Sequence, residues 1–146
     1  MIILRRLLRF AGSVVLCAVI GTLWQSGHNL AQIAGLGFPP SFGEVGATLM
    51  HDMLHFAPTF ALLSGAALLV AFLIATQIVA WTGGHRIAWF GAGGTLSILA
   101  LLAIMGWALP VTAIAAARDL VGIFGLCLAG GLAGLSFAAT APAQAY

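Results

Sequence analysis

The sequence predicts an all-α integral membrane protein, a bundle of four transmembrane helices with almost no part in water. In 146 residues, hydrophobic side chains make up 62% and charged side chains only 5%, whereas soluble domains carry roughly 25% charged residues. Four apolar stretches each approach or exceed the roughly 20 residues that an α-helix needs to cross a bilayer. All four tryptophans fall near the ends of these stretches.

The four predicted spans belong to a single membrane domain, residues 1–146, and cover about residues 7–24, 57–81, 87–109 and 114–139. Tryptophan favours the headgroup region, where its ring is buried and its N–H remains hydrated. The interface anchors of the spans are therefore Trp24, Trp81, Trp89 and Trp107.

The arginines predict the orientation of the spans. Arg5, Arg6 and Arg9 precede the first span, and Arg86 lies between the second and the third, so four spans place all four on one side. Arg118 falls on the other side. Because positive charge is retained in the cytoplasm, both termini should be cytoplasmic, in a multi-pass protein of a bacterial inner membrane.

The long outer connection, residues 25–56, contains a helix that leads into the second span. Gly37 to Pro40 cannot lie within a helix, whereas Ser41 and Glu44 have the spacing of a capping box and predict a helix that begins near Phe42. Pro58 should kink this helix or separate it from the span. Residues 29–36 are expected to form a short interfacial segment.

The fourth helix is expected to begin after Thr112, a candidate N-cap, so that Arg118 and Asp119 lie one to two turns inside it. An ion pair between Asp52 and Arg118 would then tie the second helix to the fourth at the outer interface.

Glycines recur in the third and fourth spans, where small residues let helices in lipid approach closely. Such a surface could dock another protein or pack within the bundle. The candidate packing residues are Gly91, Gly94, Gly122, Gly130 and Gly134.

Three outer-side histidines are the candidate metal or haem ligands. His51 and His55 lie four residues apart, on one helix face, and imidazoles at this spacing can both reach one transition metal. His28 and His55, on separate helices, could instead ligate a haem. Ala47 lies four residues before His51, and a small residue at this spacing before a histidine can admit a chlorin ring. The alternative is that all three are ordinary interfacial side chains.

Two segments, residues 52–58 and 109–118, together with the long span between them, resemble uncharacterised small four-span inner-membrane proteins of proteobacteria. The resemblance covers most of the chain. It implies a location and a number of spans, and it supplies neither an activity nor site residues.

These observations favour a non-catalytic accessory or assembly subunit, packed against a larger respiratory or photosynthetic membrane complex. The sequence contains no nucleophile–base set, carboxylate dyad or phosphate loop, and no basic cluster suited to nucleic acid. It requires no cofactor, although lipid, quinone, pigment or haem could bind between the helices. A haem- or metal-binding redox protein and a small oligomeric transporter or channel are the alternatives.

The predicted ion pair can be tested by one substitution. Replacing Arg118 with alanine should lower the thermal stability of the protein in detergent, because Asp52 would lose its partner. An unchanged melting temperature would contradict the pair.

Overall fold

The computed structural model of the protein describes residues 2–108 and 114–140, which form four α-helices and one short 3-10 turn. Helix α1 covers Ile2–Gly35, α2 covers Phe42–Thr82, α3 covers Arg86–Ala108 and α4 covers Leu120–Thr140, with the 3-10 turn at Ala115–Arg118. All four helices are long and apolar enough to cross a membrane. The prediction of an all-α chain with four such helices is confirmed.

The helices form a ring in which each packs mainly on two neighbours, in the order α1, α2, α3, α4 and back to α1. The α1–α2 connection lies at one end of the bundle, here called the hairpin end. The other end, which holds Arg5, Arg86 and Thr140, is called the terminal end. Trp107 and Asp119 lie at the hairpin end, and Trp81 and Trp89 at the terminal end.

Helix α1 is longer than the sequence indicated. It continues past Trp24 to Gly35, so residues 29–35 belong to it and do not form a separate segment. The fall in apolarity after Trp24 does not end the helix, and the helical backbone is continuous as far as Gly35. Gly37, at a φ of 91°, provides the left-handed conformation that ends the helix.

Helix α2 begins at Phe42, where the predicted capping box is confirmed. The Glu44 backbone N–H donates to Ser41 Oγ, and the Ser41 N–H donates to the Glu44 carboxylate at 2.7 Å. The Ser41 N–H, and second to it the Ser41 hydroxyl at 2.8 Å, donate to the Glu44 carboxylate and hold the pKa of Glu44 below its ordinary value. The helix continues without interruption through Pro58 to Thr82, so Pro58 does not separate an outer helix from the span.

Together, α1 and α2 form a helical hairpin that extends beyond the predicted spans. Helix α3 measures about 27 Å from Trp89 to Trp107 at 1.5 Å per residue, close to the roughly 30 Å of a hydrocarbon core. Helix α2, with 41 residues, is about 61 Å long. Residues 25–56, which connect the first two predicted spans, are called the hairpin from here on.

Helix α4 begins later than the sequence suggested. Arg118 ends the 3-10 turn and Asp119 immediately precedes α4, so the prediction that both lie inside the fourth helix is wrong. The side chain of Asp119 accepts the Gly122 backbone N–H at 2.8 Å, which makes Asp119 the N-cap. Thr112, the predicted cap, lies outside the described residues.

Helices α3 and α4 meet through glycine. A side chain on Gly94 would overlap the backbone carbonyl of Gly130, and one on Gly134 would overlap the carbonyl of Phe90. Gly91 lies against Leu135, and Gly122 lies against the 3-10 turn at Ala116. All five candidate packing glycines are buried inside the bundle.

Four phenylalanines, one from each helix, join the bundle near the terminal end. Phe72 stacks on Phe137 with ring centroids 4.7 Å apart, and it meets Phe90 at 5.3 Å and Phe10 at 6.1 Å in edge-to-face contacts. Phe90 also contacts Phe137 at 5.3 Å. This phenylalanine cluster is the point where all four helices are linked by side chains.

Two arginines bind the last turn of α4 at the same end. Arg9 of α1 donates to the Thr140 carbonyl at 3.4 Å, and Arg86 of α3 donates to the Ala138 carbonyl. The final carbonyls of a helix have no partner within the helix and carry partial negative charge. In the sequence, these arginines predict the orientation of the spans. In the structure they also connect α1 and α3 to α4.

The glycine contact between α3 and α4 predicts opposite effects for two alanine substitutions in one helix. Gly94→Ala should destabilise the protein by roughly 1–3 kcal/mol, because the added methyl group forces the two backbones apart. Gly106 has open space around its Cβ position, so Gly106→Ala should leave stability unchanged or raise it by up to about 1 kcal/mol. Thermal unfolding in detergent measures both, and equal melting temperatures would refute the close contact.

Candidate functional site

Polar side chains collect at the hairpin end, where α1 meets both α2 and the start of α4. The α1 members lie within residues 22–32, and the others come from α2 and from the residue before α4. The set is Thr22, Gln25, Ser26, His28, Gln32, Asp52 and Asp119, called the polar cluster below.

Ser26 connects α1 to α2. Its buried hydroxyl lies 2.6 Å from Asp52 Oδ2 and 3.0 Å from the Thr22 carbonyl in the preceding turn. The shorter distance is typical of a hydroxyl that donates to a carboxylate. Asp52 is thus held toward α1, and its side chain is only 20% exposed. The predicted pair between Asp52 and Arg118 stays a prediction.

His28 connects α1 to the start of α4. Its Nε2 lies 2.7 Å from Asp119 Oδ2, and the Gln32 amide, one turn further along, donates to the same oxygen at 2.7 Å. The other oxygen of Asp119 caps α4. The pKa of Asp119 is held below its ordinary value because two groups stabilise the ionised carboxylate. The Gly122 N–H has the larger effect and His28 the smaller.

The three candidate histidine ligands do not come together. His28 is bound to Asp119, whereas His51 and His55 stack on each other along α2, with ring centroids 4.4 Å apart. Within residues 2–108 and 114–140, no group of three or more histidine, cysteine or acidic side chains is placed to hold a metal. A site that uses all three histidines, or a haem between His28 and His55, does not fit this arrangement.

Two buried polar atoms of α1 have no hydrogen-bond partner in the described part of the chain. They are Thr22 Oγ1 and Gln25 Oε1, in residues that are 0% and 7% exposed. Both residues belong to the part of α1 that includes Ser26. A buried polar atom without a hydrogen-bond partner is costly.

Trp24 fits into a notch made by Gly125 of α4, since a side chain on Gly125 would overlap the indole ring. Its ring is 38% exposed, in contrast to 82% for Trp81 and 90% for Trp107, while Trp89 is also 38% exposed. The sequence predicts Trp24 as an interface anchor. In the structure its side chain also packs against α4.

An open apolar groove of about 620 Å³ runs between α2 and α3, lined mainly by alanine and aliphatic side chains. Gly93 and Ala71 are among the lining residues, and Trp89 lies at one end. Such a surface can receive an acyl or isoprenoid chain, but its polar lining is limited to Trp89 and Ser97. The groove thus lacks paired polar groups that would orient a headgroup or a reactive ring.

No family model matches the chain, and neither does a curated protein or a solved structure. The polar cluster, the hairpin and the four long apolar helices are the features of the molecule that bear on its function.

The double role of Asp119 predicts a graded response to substitution. Asp119→Ala removes both the cap and the partner of His28 and should lower the melting temperature by about 2–4 °C. Asp119→Asn should lower it less, because asparagine also caps helices. Thermal unfolding in detergent at pH 7 distinguishes the two variants.

The pH dependence follows from the same carboxylate. Because its folded-state pKa is depressed, its contribution to stability is present above the ordinary value of 3.8 and is lost as the pH falls through the lower folded value. The wild type should therefore approach Asp119→Asn in stability as the pH is lowered below 3.8. A stability difference that stays constant through this acid range would show that the carboxylate charge is not involved.

Proposed function

We propose that this protein is a non-catalytic accessory or assembly subunit that packs against a larger membrane complex through its hairpin. The proposal includes a bacterial inner membrane with cytoplasmic termini, and a complex of the respiratory or photosynthetic type. The observation that carries it is the exposed apolar surface of the hairpin.

Large apolar side chains are exposed at the tip of the hairpin. Phe42 is 99% exposed, Leu36 77% and Phe38 73%. On the side of α2, Leu54 and Met50 are 64% and 63% exposed, and their four-residue spacing places them on one face. Exposed apolar patches on soluble surfaces mark interaction sites.

Lipid would cover the exposed leucines of the predicted spans. Helix α2 continues without interruption from its predicted span into the hairpin, and in the proposed arrangement this continuation carries the tip of the hairpin out of the bilayer. A second protein surface would then remove these apolar side chains from water.

The charge of the hairpin favours an apolar partner over a nucleic acid or an acidic headgroup. Residues 25–56 contain Glu44 and Asp52 but no lysine or arginine. Glu44 is engaged by the capping box, and Asp52 by Ser26. The carboxylates therefore serve the hairpin's own structure, and apolar contact supplies the binding surface.

The polar cluster supports a structural role. Ser26, His28 and Gln32 are joined to carboxylates of other helices, so their hydrogen-bonding groups connect the helices. A transporter usually places a charge near the membrane midplane. Here the acidic residues belong to the hairpin and to the start of α4.

Co-purification tests the proposal. A tagged protein extracted in gentle detergent should carry a stoichiometric set of other membrane subunits, identified by mass spectrometry. Combined Leu36→Ser and Phe42→Ser should reduce their recovery at least about 10-fold, because buried aromatic and aliphatic anchors dominate such contacts.

Ala47→Ser is the matched control, since it changes a small exposed residue on the same helix. It should leave recovery unchanged. A wild-type protein that purifies alone or as a homo-oligomer would contradict the proposed function.

A further inference from the structure

The outward face of α2 in the hairpin carries a pair of stacked imidazoles. His51 and His55 have ring centroids 4.4 Å apart and an angle of 20° between the ring planes. Both residues are exposed, and the side chain of His51 is 69% exposed. Neither imidazole takes part in the contacts between helices that hold the polar cluster together.

The Nδ1 atom of each ring is directed toward an oxygen. His55 Nδ1 lies 2.9 Å from the His51 carbonyl, at hydrogen-bond distance, and His51 Nδ1 lies at a longer 3.5 Å from Asp52 Oδ1. In a neutral imidazole, an Nδ1–H that donates to oxygen leaves the lone pair on Nε2. Metal-binding histidines use this arrangement, in which the second nitrogen donates to a carboxylate or a backbone carbonyl.

We propose that His51 and His55 chelate one divalent transition-metal ion, of the class of Cu²⁺, Ni²⁺ or Zn²⁺, through their two Nε2 atoms. Imidazole is a suitable ligand for these ions. The rings must turn toward each other to bring both nitrogens to about 2.1 Å from the ion, and their exposure permits this rotation. Water completes the coordination.

The residues around His51 and His55 carry no positive charge that would oppose the binding of a cation, and they provide no third protein ligand. The hairpin contains no lysine or arginine that would repel the ion. Asp52 Oδ2 accepts from Ser26 at 2.6 Å, and Oδ1 lies 3.5 Å from His51 Nδ1, so the proposed site takes its protein ligands from the two imidazoles. A site with two imidazoles and no free carboxylate selects against Ca²⁺ and Mg²⁺, which require oxygen ligands.

Metal titration of the intact protein tests the site. Untagged protein, or protein with a tag that lacks histidine, is titrated with NiCl₂ in detergent by calorimetry. One ion should bind per chain. His51→Asn or His55→Asn should each weaken binding at least about 10-fold, because the second ligand then no longer acts at high effective concentration.

The control is His85→Asn, which replaces an exposed histidine at the other end of the bundle and should leave the affinity unchanged. Circular dichroism confirms that each variant keeps its helices. A Cu²⁺ complex should show coupling to two imidazole nitrogens by electron paramagnetic resonance, and to one in either variant. The proposal is overturned if no ion binds, or if His85→Asn has the same effect as the two hairpin variants.

Discussion

The absence of side chains where α3 meets α4 is the constraint on which the rest of the bundle depends. Lipid tails are as apolar as leucine, so association between helices in a bilayer depends on close packing and hydrogen bonds. Gly94, Gly130 and Gly134 bring the two backbones into contact. That contact fixes α4, whose first residues are capped by Asp119 and whose last carbonyls accept from Arg9 and Arg86. Helix α4 is thus held along its length by packing and at both ends by charge.

The hydrogen bonds between helices are concentrated at the two ends of the bundle. At the hairpin end, α1 reaches α2 through Ser26 and reaches α4 through His28 and Gln32. Within the spans, the hydroxyls of Ser64 and Thr76 bond to carbonyls of their own helix. Apolar and aromatic packing therefore stabilises the middle of the bundle, and hydrogen bonds between helices set the geometry of its two ends.

Composition and the tryptophans were enough to predict four long apolar helices, and the Ser41–Glu44 spacing located the start of α2. The extent of α1 and the start of α4 were not predictable in this way, because apolarity reports surroundings and not the end of a helix. The polar series Gln25, His28 and Gln32, at helical spacing, was the available signal that α1 continues. The partners of Ser26 and Asp119 depend on helix rotation, which one sequence does not specify. For the same reason, the roles of Gly125 and Gln32 were missed.

The phenylalanine cluster also has a consequence for biogenesis. Phe10, Phe72 and Phe90 belong to the first three helices, but Phe72 and Phe90 each contact Phe137 of the last. During translation, three helices are therefore made before the ring that completes the cluster emerges from the ribosome. Until then the aromatic faces of α2 and α3 are open to lipid or to an insertion factor. Nascent chains stalled before α4 should remain accessible to membrane chaperones and proteases, and completion of α4 ends that exposure.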